Sequence, residues 1–518
     1  MPEQATLAQS STDAERNRQS HLSRLTKIIY GSGAMVDGMA GAALGFLFFY
    51  MTAVRGLSGT LAGASMVIAL LVDSAADPLI GSLSDATRSR FGRRHPWMLI
   101  ASAPLALSLG LLFSAPASLG TWPLFAWMTA TAIGVRVSLS LFAVPHVALG
   151  AELSDGYLER SHIVAYRAVF SVIAGLVAPT LAYVVFMPTT SDLLHHAGYV
   201  PFAWASAAIA LVSGLFCTFG TRNTLPRLHV TPTKVDHPLI RFLKEMGDIF
   251  RHRHFVILFL GSLIYFTSQG ITNQLGLHSA KFFWHFSNQT LQMLAVTGAL
   301  GAVGGFPLAA WLQRHVDKHH LLQWMLVVTC AGGAVTTLLR LWDILPAAGP
   351  GLLVPITILN ILNGAAQVVI GITYYSMTAD AADEHEYLFH ARREGLFFAG
   401  LAFSSKAASA LGAFIAGQAL DFIGFPSAIA EKGPNLHIAS QTIVELALIT
   451  GPGAALLMAS PALLVLLIRV GRDDLVKIQE ELSARRAAAG DAAAVSETSA
   501  ISKPLATTSL TATATAAE

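Results

Sequence analysis

Two carboxylates four residues apart, Asp73 and Asp77, stand at the end of an apolar run from Leu61 to Val72. That spacing places both on one face of a helix. In hydrocarbon each carboxylate costs about 2.5–3.5 kcal/mol, so a lipid-facing position is excluded and the pair must look towards other helices. Two like charges this close require a proton, a metal cation or a basic side chain to neutralise them. Any of these makes the pair titratable or ion-binding. Other charges interrupt other apolar runs: Asp37 in the first, Arg136 in the fourth, Arg167 in the fifth and Lys406 in the eleventh. Arg136 needs an acidic partner on a neighbouring helix, and Lys406, with Ser404, Ser405, Ala407 and Ala408 beside it, can be approached closely by one.

The elements that hold these charges are set by composition. The chain has 518 residues, of which 53% are hydrophobic and only 12% charged. Soluble proteins carry about 25% charged residues, and the mean hydropathy is +0.57. Twelve apolar segments are expected, at about 28–54, 60–84, 96–115, 122–150, 163–187, 199–220, 253–276, 289–312, 321–341, 351–379, 395–422 and 442–469. Each is long enough to span a bilayer. Residues 1–24 form a polar N-terminal segment, 25–220 a first six-helix half, 221–252 a basic central loop, 253–470 a second half, and 471–518 a tail. No short apolar core with a cleavage site precedes the first span, which is expected to direct insertion. Leu239 to Phe250 has the spacing of an interfacial helix. The tail, rich in Ala, Ser and Thr from about residue 483, cannot bury a core and is expected to be disordered. Cys217 and Cys330 lie in apolar runs as small core residues.

Lys and Arg crowd the N-terminus, the central loop, the C-terminal end and the loops after spans two, eight and ten, whereas the alternate loops carry few. The bias places both termini in the cytoplasm. An internal repeat supports six spans plus six. Pro78-Leu79 and Leu83 correspond to Pro307-Leu308 and Leu312, and Ala151-Glu152 and Asp155 to Ala379-Asp380 and Asp383. Phe306 stands where Asp77 stands, so the expected ion site belongs to the first half.

The run D-x-x-x-D-P-x-x-G-x-x-x-D-x-T-x-S-x-x-G-x-x-x-P-W, residues 73–97, resembles the helix II and loop 2–3 signature of the glycoside–pentoside–hexuronide:cation symporters, the melibiose-permease-like branch of the major facilitator superfamily. The likeness continues through Pro145 to Arg167 and Ala379 to Lys406. It implies an all-α fold of twelve transmembrane helices in two pseudo-symmetric six-helix halves. It also implies a cation site at Asp73, Asp77 and Ser140, a sugar site around Asp37 and Arg167, and an intramembrane Lys at Lys406. Asp85, Arg88, Glu152, Asp155, Arg160, Asp380, Asp383, Arg392 and Arg393 resemble the family's cytoplasmic gate. Such pairs would close the inner vestibule when the carrier opens outward and part when it opens inward.

The chain departs from the pattern at several points. Sodium-coupled members resemble D-x-x-N-D, and Ala76 stands at the Asn position. Fewer oxygens disfavour sodium, whereas a proton needs one carboxylate, so H+ is favoured over Na+ as the coupling ion. Ala143 and Val147 replace a sugar-binding carboxylate and a Trp. His146 can restore some polarity or hydrogen-bond a neighbouring helix; the sequence leaves both open. In the second half Tyr265, Gln269, Asn273, Gln367 and Tyr374 offer amide and aromatic groups for a saccharide, or glue between helices.

The expected activity is symport of a glycoside or related saccharide with a cation by alternating access, in a bacterial inner membrane and as a monomer. No cofactor, nucleic-acid partner or metal is expected beyond a Na+ ion at Asp73/Asp77, and no catalytic motif of an enzyme is present. Three rivals stay open: a lysophospholipid or other amphipathic cargo, a cation-independent sugar facilitator with Arg136 as internal counter-ion, and a non-transporting sensor.

Overall fold

The computed structural model describes residues 22–153, 157–189, 191–222, 247, 249–389, 393–427, 429, 438–468, 471 and 474–485. The segment expected as an interfacial helix, 239–250, lies almost entirely outside them, as do most of the central loop and tail. Within the described residues twelve helices are long and apolar enough to cross a bilayer. In chain order they are α1 (Arg24–Val54), α2 (Gly59–Ala86), α3 (His95–Leu112), α4 (Thr121–Glu152), α5 (Glu159–Phe186) and α6 (His196–Gly220) in the first half. The second half contains α7 (Arg253–Phe283), α8 (Asn288–His315), α9 (Lys318–Leu341), α10 (Pro350–Phe389), α11 (Glu394–Phe422) and α12 (Ser440–Val465). A short helix, α13, covers 474–485. A spanning segment must satisfy its backbone internally, which helices do. Their outward faces carry large exposed apolar groups such as Leu71, Trp122, Val212, Trp311 and Leu456, the surface a hydrocarbon solvent requires.

All twelve expected segments fall on helices, and two edges differ substantially: α7 runs to Phe283 where the expected span ends near 276, and α10 differs more. The apolar run of span ten ends near residue 379, but α10 continues to Phe389. Asp380, Asp383 and Glu384 therefore ride on a helix, where their positions are fixed by its pitch.

The internal repeat is written into the backbone. Tyr50–Val54 at the end of α1 and Ser279–Phe283 at the end of α7 are both wound as π-helix, 229 residues apart. Ser58 caps α2 by accepting the Leu61 N–H, and Ser287, again 229 residues on, caps α8 by accepting the Thr290 N–H. Equivalent helices thus end and begin by the same local device in each half.

The loops after α2, α8 and α10 are the basic ones, and define a basic end of the bundle; the loops after α1, α7 and α11 define the opposite end. At the opposite end one apolar core runs through both halves, joining Phe48, Phe49 and Leu57 to Leu275, Phe286, Ala416 and Leu420. At the basic end the second half has a separate core built on Phe255, Leu258, Leu322, Met377 and Phe397. Among the described residues, the apolar core shared by both halves lies at that opposite end.

Candidate functional site

α2 and α11 approach closely because Gly59 and Gly63 face Gly417 and Ala413. A Cβ at Gly417 would lie 2.1 Å from the Gly59 carbonyl oxygen, so no larger residue fits there. That approach carries Asp73 and Asp77 of α2 to Lys406 of α11. Asp73 is buried, with 6% of its surface exposed. Its Oδ1 accepts the Ser140 hydroxyl at 2.7 Å, and its Oδ2 accepts the Lys406 ammonium at 2.9 Å. Lys406 also donates to Asp77 Oδ2. Arg136 Nη1, one turn before Ser140 on α4, lies 3.9 Å from Asp73 Oδ2. Two carboxylates thus meet two internal cations, and the group is neutral as a set. Neutralisation is what makes the burial tolerable, because an unpaired charge would cost several kcal/mol. The Lys406 contacts cross between halves, whereas Ser140 and Arg136 belong to the same half as Asp73.

A second constellation lies on α1, α4 and α5. Asp37 is half-buried and Arg167 acts on it electrostatically; Arg167 also hydrogen-bonds the Tyr30 hydroxyl. α1 reaches α5 through Gly38, where a Cβ would meet that of Ala174 at 2.1 Å. Gly41 and Gly45, one and two turns beyond Asp37, face open space with nothing within 4 Å of an added Cβ. Close helix packing is made by Gly38 and not by these two glycines, and the Asp37 face of α1 borders open space. His146 is fully buried and donates Nε2–H to the Tyr30 carbonyl at 2.9 Å. Its ring stacks on Tyr30, with 4.5 Å between centroids. Of the two roles the sequence left open, this conformation puts His146 in the helix-bonding one, with no surface left for a substrate.

On α7 and α10, Gln269 Nε2 donates to Gln367 Oε1 at 2.9 Å, and Gln367 Nε2 reaches Asn363 Oδ1 at 3.4 Å. Tyr265 and Tyr374 are both buried, 5.9 Å between ring centroids, and the Tyr374 hydroxyl has no hydrogen-bond partner among the described residues. Asn273 is exposed. This polar ladder bridges the two helices at mid-length.

Of the acidic residues expected to form a gate, Asp85, Glu152 and Asp380 pair with basic residues of their own half. Arg94, nearly buried, pairs with Asp85 and Glu152, and Arg93 lies 2.8 Å from Glu152. It is these adjacent arginines that meet Glu152, and Arg88 is exposed. The reason is local: loop 2–3 turns at Gly92 with φ 75°, which brings Arg93 and Arg94 back under α2. In the second half Lys318 pairs with Asp380 at 2.6 Å, and Gln479 of α13 donates to Asp383 at 3.1 Å. Arg160 is exposed and Arg393 half-buried. Asp155 and Arg392 lie outside the described residues.

Sequence reasoning missed the polar clasps at the opposite end. Asp421, in the last turn of α11, accepts the Gly59 N–H at 2.8 Å, the Thr60 N–H at 2.7 Å and the Thr60 hydroxyl. Asn288 of α8 donates to the carbonyls of Met187 and Thr189, Gln292 donates to Thr180 of α5 at 2.7 Å, and Thr52 of α1 meets His278 of α7 at 2.9 Å. Each joins one half to the other. A signal for Asp421 existed: an acid at a helix C-terminus opposes the dipole, so it requires a donor elsewhere, here the N-terminus of α2.

Known proteins share this architecture. The family model described as MFS/sugar transport protein matches residues 29–471. The chain is 25% identical to the uncharacterized symporter YnaJ of Bacillus subtilis (strain 168), over 78% of this chain and 84% of that one. It is 25% identical to the isoprimeverose transporter of Lactiplantibacillus pentosus, over 76% and 78%. Among solved structures, a bacterial homologue of the human lysosomal transporter Spinster, in an inward-facing conformation, superposes with a TM-score of 0.58 at 13% identity. That match covers 86% of this chain and 94% of that one, and shows the fold. The twelve helices, the repeat and the matched family model together place the chain in the MFS/sugar transport protein family, within the glycoside–pentoside–hexuronide:cation symporters.

Proposed function

We propose that this carrier moves a glycoside or related saccharide together with a cation by alternating access, with Asp73 and Asp77 as the coupling carboxylates. The observation that carries the reading is the placement of Lys406. Its ammonium sits where a coupling cation would sit, on both carboxylates, and it comes from the opposite half. A proton or metal cation arriving at the pair competes with Lys406, and displacing it loosens the contact between α2 and α11. Cation binding is thereby coupled to relative motion of the halves, which is what symport requires. The related symporters support the same class of activity.

The donor set favours a proton. Sodium wants several oxygens at once, and the polar oxygens around Asp73 and Asp77 come from the two carboxylates and Ser140, with Ala76 contributing none. The saccharide site is proposed at Asp37 and Arg167 on one side and the Gln269–Gln367–Asn363 ladder on the other, with Asn273, Tyr265 and Tyr374 beside it. With the basic loops assigned to the cytoplasm, the fusion of the halves at the opposite end corresponds to an inward-facing carrier. Asp85 and Glu152 are held inside their own half by Arg93 and Arg94, and Asp380 inside its own by Lys318.

Arg136 favours one second reading. It supplies a further internal cation 3.9 Å from Asp73, so the group can be neutral with no ion bound, as in a facilitator. Counterflow in proteoliposomes with a panel of glycosides, repeated under imposed pH or sodium gradients, separates the two: a symporter accumulates substrate against its gradient and a facilitator only equilibrates it.

A further inference from the structure

At the basic end, away from the coupling carboxylates, two imidazoles and a carboxylate converge. His252 caps the start of α7, His254 follows two residues later, and Glu384 comes from the extended part of α10. Glu384 Oε2 lies 3.3 Å from His252 Nε2 and 2.6 Å from His254 Nδ1. One ligand atom from each residue lies within 4.8 Å of the other two. All three side chains are largely buried, at 4%, 16% and 13% exposure, so this is no solvated charge cluster. His254 and Glu384 also border a cavity of about 240 Å³, lined further by Asp317, Lys318, Asp380 and, from α13, Leu475 and Gln479.

We propose that His252, His254 and Glu384 form a binding site for a first-row divalent transition metal such as Zn²⁺, separate from the coupling site and with its remaining position open to the cavity. Two imidazoles with one carboxylate suit Zn²⁺, Ni²⁺ or Co²⁺ and are poor ligands for Mg²⁺ or Ca²⁺. In tetrahedral coordination at metal distances of about 2.0–2.2 Å, neighbouring ligand atoms stand about 3.3 Å apart. The His252–Glu384 pair is already at that separation, and the His254–Glu384 hydrogen bond opens by less than an ångström when the His254 ring proton moves from Nδ1 to Nε2. His252 Nδ1 makes a contact of 3.4 Å with the Phe255 N–H, long for a hydrogen bond. Metal on Nε2 moves the ring proton to Nδ1 and gives up that weak cap. The ion replaces the shared proton and ties the first turn of α7 to the last turns of α10.

The test is equilibrium dialysis of the full-length protein, purified without a polyhistidine tag, against micromolar ZnCl₂, with bound metal measured by mass spectrometry. One Zn²⁺ per chain is expected, with affinity lowered roughly tenfold or more in Glu384→Gln and in His254→Gln, and unchanged in His320→Gln, which alters the more exposed Asp317–His319–His320 group. Wild-type protein that binds no Zn²⁺ overturns the proposal, because no variant's folding is then in question. Binding kept in Glu384→Gln but lost in Asp73→Asn or His320→Gln overturns it as well, by placing the ion elsewhere. None of these results depends on transport, so the site stands or falls apart from the symport reading.

Discussion

Lys406 Nζ lies 2.9 Å from Asp73 Oδ2 and closes an ion pair between α11 and α2, one helix from each half of the molecule. Asp77 is held by the same ammonium, so a single lysine counters both carboxylates that a coupling ion would visit. On the proposed mechanism, Lys406 takes the place of that ion in this conformation.

Removing the substitute exposes the repulsion it masks. Lys406→Ala leaves Asp73 with Arg136 at 3.9 Å and takes the ammonium from Asp77. Breaking a fully buried pair costs about 3–5 kcal/mol; with 35% of Lys406 and 30% of Asp77 exposed, water recovers part of that, and a loss of about 1–3 kcal/mol is expected. Thermal unfolding in detergent measures it. Lys406→Ala/Asp77→Asn should recover much of the loss. A double variant no more stable than the single one would show that the two residues are not coupled.

The clasp at Asp421 gives a conformational prediction. Its carboxylate holds two N–H groups and a hydroxyl of the other half, and hydrogen bonds to charged groups contribute about 1.5–3 kcal/mol each. Asp421→Ala should shift the carrier towards the state open at the α1–α2 end, by roughly ten- to hundredfold in the ratio of states. Spin labels on α2 and α11 near Gly59 and Gly417 should report longer distances. Unchanged distance distributions would show that the Asp421 clasp does not hold that end shut.

The polar ladder predicts a kinetic signature. Gln269→Leu removes the donor to Gln367 and an amide available to a saccharide, without touching the coupling pair. The half-saturating substrate concentration in counterflow should rise about tenfold, as expected when about 1–2 kcal/mol of hydrogen bonding is lost. Gradient-driven accumulation at saturating substrate should persist. If instead affinity is unaltered, the saccharide does not use this ladder.

What could be read in the sequence follows its physics. The twelve spans were legible because hydrocarbon demands unbroken apolar length, and the interior orientation of Asp73 and Asp77 because a carboxylate in lipid is prohibitive. The small residues around Lys406 signalled its close neighbour. Less legible were features that depend on the partner helix. Gly41 and Gly45 carry the spacing of a packing face, yet only α5 decides that Gly38 makes the contact. Arg93 and Arg94, not Arg88, reach Glu152 because of the turn at Gly92, which hydropathy does not encode. The continuation of α10 to Phe389 was hidden because its last residues are polar, and with it the meeting of Glu384 with two histidines.

The competition between Lys406 and a coupling cation is tested most directly by gradient-driven uptake in proteoliposomes containing wild-type protein, Asp73→Asn or Asp77→Asn. Wild type should concentrate a glycoside when an inward proton gradient is imposed, and more strongly than with sodium. Both variants should lose accumulation by at least about tenfold while still exchanging labelled for unlabelled substrate. Normal accumulation by both variants would contradict the account.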